Sequence, residues 1–142
     1  YGYVVECTGF EKDAQGRIVA VRAEALEDSK SGTPGANAYK VKGNLHWVAA
    51  QSAVAAEVRL YDRLFDQPHP DASGRDYREA LNDGSRRVIR AMLEPSLAGA
   101  PPEARYQFER HGYFVADRVD SRPGAPVFNR AVTLKDSWGG GR

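Results

Sequence analysis

Gln107 and Arg110 carry the chemistry that stands out most in this sequence. Both lie in a nine-residue stretch, from Tyr106 to Phe114, in which aromatic and polar side chains are interleaved. A glutamine amide offers two donors and one acceptor, and an arginine offers a planar fork of donors. Such groups can read the edge of an unstacked base. The alternative is an amphipathic strand with a solvated polar face, which is what most half-buried strands show.

The spacing of this stretch predicts how these side chains are positioned. Tyr106 and Phe108 alternate with Gln107 and Glu109. A period of two places the aromatic pair on one face of a strand and the polar pair on the other. Gly112 interrupts the alternation, as at a bulge or a sharp bend. We therefore expect the Arg110 side chain to be re-aimed just before that break.

Composition limits the class of protein. With 142 residues, of which 42% are hydrophobic and 27% charged, the chain can form one domain or two small lobes sharing a core. There is no run of about 18 apolar residues, so we expect no membrane association. Cys7 is the only cysteine, which favours a reducing compartment and hence the cytoplasm. Because the strand-like pattern is present from the first residue and that residue is not Met, we expect a fragment of a longer protein.

Charge is distributed unevenly along the chain. Residues 1–71 contain 8 Lys and Arg against 10 Asp and Glu, a balance of −2, and residues 72–142 contain 12 against 9, a balance of +3. The second half has a single lysine, Lys135; its other basic residues are arginines. Arginine suits phosphate and base recognition, although a GC-rich genome would favour the same bias.

The hydrophobic pattern predicts an all-β fold, a barrel or a pair of small barrels, with eight or nine short strands and one short helix. A hairpin is expected from residues 3–10 and 17–25, joined by a loop around Gly16. The short helix is expected at residues 73–81, capped by Ser73, with Tyr77, Ala80 and Leu81 inward. The other predicted strands cover residues 39–48, 56–65, 86–93, 106–116 and 126–135.

The sequence offers no catalytic constellation. His46, His69 and His111 have no metal-ligand spacing with one another or with Cys7. No glycine-rich phosphate loop precedes a helix, and no pair of acidic residues stands out as an acid/base couple. We therefore expect neither catalytic residues nor a metal site, and the residues favour a binding function.

Several motifs, in order along the chain, resemble the C-terminal part of bacterial glutaminyl-tRNA synthetase, a class I aminoacyl-tRNA synthetase. The match weakens at residues 27–38, at 71–87 and in the Gly-rich tail. The motifs are Lys40-Val41-Lys42-Gly43 with His46-Trp47-Val48, residues 57–65, Glu94-Pro95-Ser96-Leu97, Gln107-Phe108-Glu109-Arg110 with Gly112-Tyr113-Phe114, residues 126–130, and Asp136-Ser137-Trp138.

The resemblance implies that residues 1–142 are the tRNA anticodon-binding region. In the family this region consists of two β-barrels, and we expect the last strands, 105–138, to return to the barrel nearer the catalytic lobe. The parent enzyme would ligate glutamine to tRNA(Gln) with ATP and Mg²⁺. The catalytic lobe would lie upstream in the same chain, and neither of its two signature motifs occurs here. The expected partners are the anticodon loop of tRNA(Gln) and that lobe, in a monomeric enzyme that needs no cofactor within this fragment.

The resemblance also assigns site residues. Gln107 and Arg110 match positions that contact the middle anticodon base in the family. The further candidates are expected to contact backbone phosphates, on charge and strand position alone, and a solvated face is equally compatible with them. These candidates are Lys40, Lys42, Arg130 and Lys135. Arg59 and Arg63 are expected to be structural, paired with Asp62 or Glu57.

Three alternatives remain at this point. A eukaryotic or archaeal glutamyl-tRNA synthetase uses a similar barrel for the same class of partner. A stand-alone RNA-binding β-barrel module would have the same architecture without a catalytic lobe. A structural interaction domain would show no salt-dependent binding to RNA.

Overall fold

A computed structural model describes residues 2–41, 43–72, 74 and 76–134. The predictions for Lys42, Ser73, Lys135, Trp138 and the Gly-rich tail therefore lie outside the described residues. The chain divides into two compact units, residues 1–45 and residues 46–142.

The described residues form seven strands and four short 3₁₀ helices, which confirms the all-β class. No closed barrel is present among them, and the strands are fewer than the eight or nine expected. The strands are β1 (Val4–Lys12), β2 (Ile18–Leu26), β3 (Val54–Tyr61), β4 (Arg86–Leu93), β5 (Arg105–Phe108), β6 (Gly112–Ala116) and β7 (Val127–Val132). The 3₁₀ helices are Glu27–Ser29, Pro34–Asn37, Tyr77–Ala80 and Pro95–Leu97.

The first unit contains the predicted hairpin. β1 and β2 pair antiparallel, with Phe10 opposite Val21. The turn is closed by Asp13, whose carboxylate accepts hydrogen bonds from the backbone N–H groups of Gln15 and Arg17. Gly16 takes a φ of 79°, the left-handed conformation expected of it.

The second unit is organised around a five-stranded sheet in the order β4-β3-β7-β6-β5. All neighbouring strands are antiparallel except β3 and β7, which pair in parallel. One face of this sheet covers the core, where Phe128 is fully buried. The buried residues of that core are Ala56, Val58, Leu93, Ala100, Phe114, Ala116 and Phe128.

The prediction of a strand at residues 39–48 is wrong. None of its described residues belongs to a strand, and Leu45 and Trp47 are 73% and 53% exposed. Alternation in the sequence is not sufficient for a strand, which also needs a neighbouring backbone to pair with. The strand predicted at residues 56–65 is present but begins and ends earlier than predicted, since β3 covers Val54–Tyr61. Beyond it, Phe65 forms only an isolated bridge with Leu81.

The predicted helix at residues 73–81 is reduced to one 3₁₀ turn, Tyr77–Ala80. Its described cap is Asp76, whose carboxylate accepts a hydrogen bond from the backbone N–H of Arg78 at 3.0 Å. The inward face expected for Tyr77 and Leu81 is also wrong, because the two side chains are 55% and 40% exposed. Four residues are too few to bury an apolar stripe, so the helical spacing has no packing consequence here.

Gly112 begins β6 at the point where the chain passes closest to β7. Its φ is 134°, and a Cβ at this position would clash with the backbone oxygen of Val132. We predict that Gly112→Ala destabilises the fold by about 2 kcal/mol or more, since both the conformation and the contact exclude a side chain. Urea unfolding measures this effect. The matched control is Gly99→Ala, where no atom lies within 4 Å of the added Cβ; equal stability losses for the two variants would contradict the assignment.

Candidate nucleic-acid interface

The position of Gln107 is set by the aromatic residues on either side of it. Tyr106 and Phe108 face the core, where the ring of Tyr106 packs edge-on against Phe128 at 5.8 Å between centroids. Phe108 stacks on Phe114 at 4.4 Å and meets Phe128 at 5.2 Å. Gln107 lies between these two anchors and is exposed on the opposite face. The predicted alternation is therefore confirmed.

Arg110 lies in the tight turn between β5 and β6. The backbone N–H of His111 donates to the carbonyl of Phe108 at 2.9 Å, which closes the turn. Arg110 has a φ of 66°, a left-handed conformation that costs a residue with a side chain roughly 1–2 kcal/mol. The interruption of the strand predicted at Gly112 is present, and the strained backbone conformation is found at Arg110, two residues earlier. Arg110 is exposed at the tip of this turn, in the connection that follows the strand carrying Gln107.

The face that Gln107 shares is the outer face of the five-stranded sheet. Gln107 is paired with Tyr113, and Arg105 with Val115. Residues paired across neighbouring strands point to the same side of a sheet. Tyr113 therefore lies beside Gln107, and 45% of its surface is exposed.

A cluster of charged residues fixes the middle of this outer face. Arg59 on β3 donates from Nε to Glu57 at 2.7 Å, from one terminal nitrogen to Asp120 at 2.7 Å, and from the other to Asp117 at 3.4 Å. Bonding to Asp120 and Glu57 raises the pKa of Arg59, so its charge is permanent. Because it has three carboxylate partners, Arg59 is structural, as expected, although Asp117 and Asp120 were not anticipated.

The same cluster extends to Tyr61. The side-chain nitrogen of Asn129 donates to Asp117 Oδ2 at 2.6 Å, and the Tyr61 hydroxyl donates to Asn129 Oδ1 at 2.8 Å. This chain of contacts holds the Tyr61 ring along the outer face. Each buried or half-buried polar group has a partner, which is the condition for a polar cluster to stabilise a fold.

Of the remaining predicted site residues, the structure places one, Arg130, on the sheet that carries Gln107. Arg130 is paired with Phe114 and therefore lies on the core side of the sheet, half-buried and on the face opposite Gln107. Lys40 belongs to the first unit and is exposed outside any strand. Lys42 and Lys135 are not among the described residues.

Three further residues of the second unit were not singled out as candidates from the sequence. They are Tyr113, Tyr61 and His46, whose ring lies 6.2 Å from that of His111 beside Arg110. Tyr113 lies within the motif that drew attention to Gln107, and strand pairing is the signal that would have identified it. Tyr61 is distant in sequence, and the sheet order places it on the same sheet as Gln107, whereas His46 lies outside any strand.

The described part of the chain has neither a metal-binding cluster nor a membrane-spanning helix. It contains no group of three or more His, Cys, Asp or Glu residues that could hold a metal ion. It also contains no helix long and apolar enough to cross a membrane.

Comparison with protein families identifies the class to which these features belong. Residues 44–117 match the model of the anticodon-binding domain of class I tRNA synthetases, E and Q types. The chain therefore belongs to this family of anticodon-binding domains, and the resemblance noted in the sequence is confirmed. The match covers β3 to β6, and so includes Gln107 and Arg110.

Individual relatives are more specific. The chain is 66% identical over 139 residues to the glutamine–tRNA ligase of Cupriavidus metallidurans and 65% identical over 139 residues to that of Ralstonia nicotianae. It is 60% identical over 138 residues to the glutamine–tRNA ligase of Bordetella avium. These alignments cover 97–98% of the chain but only 23–24% of each relative, so the chain spans about a quarter of the length of the proteins it matches.

The charged cluster leads to a prediction of pH dependence. The backbone N–H of Asp120 lowers the pKa of Asp117 most, followed by the Asn129 amide and the Val119 N–H, and the value falls to about 2. The folded pKa therefore lies below the unfolded value of 3.8. The resulting stabilisation, about 2 kcal/mol, is complete above about pH 5 and is lost as the pH falls from about 4 to 2.

This dependence is measurable as the free energy of unfolding between pH 2 and 7. Asp117→Asn should lower stability at pH 7 and flatten the acid limb of the profile. The control is Asp83→Asn, at an exposed turn position. An unchanged acid limb in Asp117→Asn would show that Asp117 does not stabilise the fold in this way.

Proposed function

We propose that this chain recognises the anticodon of tRNA(Gln) as part of a glutamine–tRNA ligase. The observation that carries the proposal is the placement of Gln107 and Arg110. Gln107 is exposed between two partly buried aromatic anchors, and Arg110 is held in a strained conformation at the adjacent turn. Strain of this kind collects at functional sites, where the surrounding structure maintains it.

The chemistry of the two side chains fits the middle anticodon base. Bases of an anticodon loop can be unstacked, and each then presents its pairing edge. The Gln107 amide can donate to and accept from such an edge, while Arg110 can bind the base or its phosphate through a charge-assisted bond. A wrong base leaves polar groups unpaired, at a cost of about 1–3 kcal/mol each.

Identity to the named relatives supports glutamine rather than glutamate as the amino acid. All of the relatives compared above are glutamine–tRNA ligases. An anticodon domain of the eukaryotic or archaeal glutamyl type has the same partner class and is the second candidate, since the family model covers both types. A stand-alone RNA-binding module is disfavoured by the extent of these alignments.

The rest of the assignment follows from the parent enzyme. In this proposal the whole of residues 1–142 is anticodon-binding, with the strands from residue 105 onward returning to the barrel nearer the catalytic lobe. ATP and Mg²⁺ act in that upstream lobe and not in this fragment. The enzyme is a cytoplasmic monomer, and Lys40, Lys42, Arg130 and Lys135 remain proposed phosphate contacts, with Arg130 on a different face from Gln107.

The direct test is a titration of the chain with tRNA(Gln) at two salt concentrations. A second tRNA differs only in the middle anticodon base. We expect the native tRNA to bind more tightly, by about 10-fold or more if one polar group is left unpaired. Affinity for both should fall with salt, since phosphate contacts release counterions.

Variants separate reading from general affinity. Gln107→Ala combined with Arg110→Ala should abolish the difference between the two tRNAs. The control is Glu79→Ala, an exposed residue of the Tyr77–Ala80 turn. Equal binding of both tRNAs by the unmodified chain would contradict the proposed reading role.

Arg110 gives a further prediction, because strain and function oppose each other there. Arg110→Gly removes the strain and should leave stability unchanged or raise it by up to about 1 kcal/mol, while lowering affinity for tRNA(Gln). Glu103 has a φ of 65° and is the matched control. Glu103→Gly should match the stability effect without changing affinity. Loss of affinity in both variants would indicate that Arg110 acts only through the fold.

A further inference from the structure

One row of exposed side chains crosses the outer face of the five-stranded sheet at a single end. Gln107 on β5 is paired with Tyr113 on β6, and Tyr113 is paired with Val132 on β7. Tyr61 ends β3, which runs parallel to β7, and Tyr61 is paired with Arg86 on β4. Gln107, Tyr113 and Val132 therefore form one paired row across β5, β6 and β7, and the pair of Tyr61 and Arg86 lies at the same end of the sheet, where β3 ends.

Every member of this row is accessible. Tyr113 and Tyr61 are each 45% exposed and Val132 is 57% exposed, while Gln107 and Arg86 are exposed at the two ends. Neighbouring strands lie about 4.8 Å apart, so Tyr113 is one strand from Gln107, and the strand that carries Tyr61 is two strands from the one that carries Tyr113. Two exposed tyrosines thus lie at the same end of one face of the sheet.

The rings are oriented before any ligand binds. The Tyr61 hydroxyl is fixed by Asn129, which is itself fixed by Asp117 and, through Asp117, by Arg59. Tyr113 is flanked in sequence by the buried Gly112 and Phe114, so its backbone cannot shift without disturbing the core. A preorganised surface loses less entropy on binding than a mobile one.

The chemistry of the row fits one kind of ligand. Every base has an aromatic face, so exposed tyrosines on a sheet can stack successive bases whatever their sequence. Two arginines lie at the margins of this face. Arg86 is on β4, at one side of the sheet. Arg105 is on β5, at the other side, on the same face as Gln107 and two residues before it. Guanidinium groups at the margins complement the phosphates of a single strand lying across the row.

We propose that Tyr113 and Tyr61 form a stacking platform for the nucleotides that neighbour the base read by Gln107. This inference rests on the proposed function and extends it to a stretch of single-stranded RNA. In this arrangement Gln107 determines which base is bound at the middle position. Tyr113 and Tyr61 add affinity that does not depend on the sequence of the RNA. The platform thus holds the loop open beside the reading residue.

The test uses the complete 142-residue chain and the anticodon stem–loop of tRNA(Gln), with 2-aminopurine replacing a nucleotide next to the middle anticodon base. Stacking on a tyrosine quenches this fluorophore. Tyr113→Leu removes the ring but keeps an apolar side chain, and Tyr113→Phe keeps the ring. Tyr77→Leu is the matched control, an equally exposed tyrosine outside the sheet.

We expect Tyr113→Leu to weaken binding about 5- to 150-fold and to abolish the quenching. The loss should be the same for the native stem–loop and for one with the middle base changed, since a ring face does not distinguish bases. Tyr113→Phe and Tyr77→Leu should bind like the unmodified chain. Tyr61→Leu provides a second, independent variant, and circular dichroism verifies that each variant is folded.

Three results would overturn the inference. If Tyr113→Leu and Tyr61→Leu both bind normally while Gln107→Ala still erases base discrimination, the proposed function stands and the platform does not exist. If the unmodified chain is a dimer that either leucine variant converts to a monomer without affecting RNA affinity, the row is a protein interface. Absence of all RNA binding by the unmodified chain would refute the proposed function and the platform together.

Discussion

The packing of Phe108 between Phe114 and Phe128 is the constraint on which the candidate interface depends. Phe128 is fully buried, and Phe108 meets both partner rings within 5.2 Å. Since side chains alternate along a strand, Gln107 must lie on the outer face when Tyr106 and Phe108 pack against the core. A slip of one residue would bury Gln107 and expose both aromatics. The core therefore determines which side chain of β5 is exposed on the outer face.

The outer face of the sheet is stabilised by a cluster of ion pairs and hydrogen bonds. Arg59 is held by carboxylates from its own strand and from the segment that follows β6, and the same set of contacts reaches Tyr61 through Asn129. Half-buried ion pairs in a cluster keep their geometry better than isolated surface pairs, which contribute little. Apolar packing therefore stabilises the core face of the sheet, and ion pairs and hydrogen bonds stabilise its outer face. RNA recognition is proposed for the outer face, which is ordered by these polar contacts and accessible to solvent.

The features that the sequence predicted correctly are those encoded locally. The strand at residues 86–93 has the predicted bounds, and the hairpin of residues 3–25 follows from β-branched runs around a loop with Gly16. The alternation around Gln107 is equally local, because two aromatics at a spacing of two leave only one arrangement on a strand. The family resemblance supplied the proposed role of Gln107 in reading a base, which periodicity alone left undecided.

What the sequence did not predict depended on pairing between distant segments. Residues 39–48 have the pattern of a strand, but no described strand pairs with them. Arg130 was proposed as a phosphate contact on charge alone, and only the pairing of β7 with β6 shows that it lies opposite Phe114, on the core side of the sheet. Arg59 was expected to find partners nearby, and two of its three carboxylates lie about 60 positions along the chain. Parallel pairing of β3 with β7 creates the row of exposed tyrosines, and no short motif signals it.

The most direct test of the account is the response of the Gln107 side-chain amide to RNA, observed by ¹⁵N-resolved NMR of the labelled chain. The account predicts that the amide signal of Gln107 shifts on addition of the tRNA(Gln) anticodon stem–loop, together with the backbone signals of Arg110 and Tyr113. A stem–loop with the middle base changed should move Tyr113 but leave the Gln107 amide close to its free position. Shifts confined to the core side of the sheet or to the Tyr77–Ala80 turn, with Gln107 unmoved by either RNA, would contradict it.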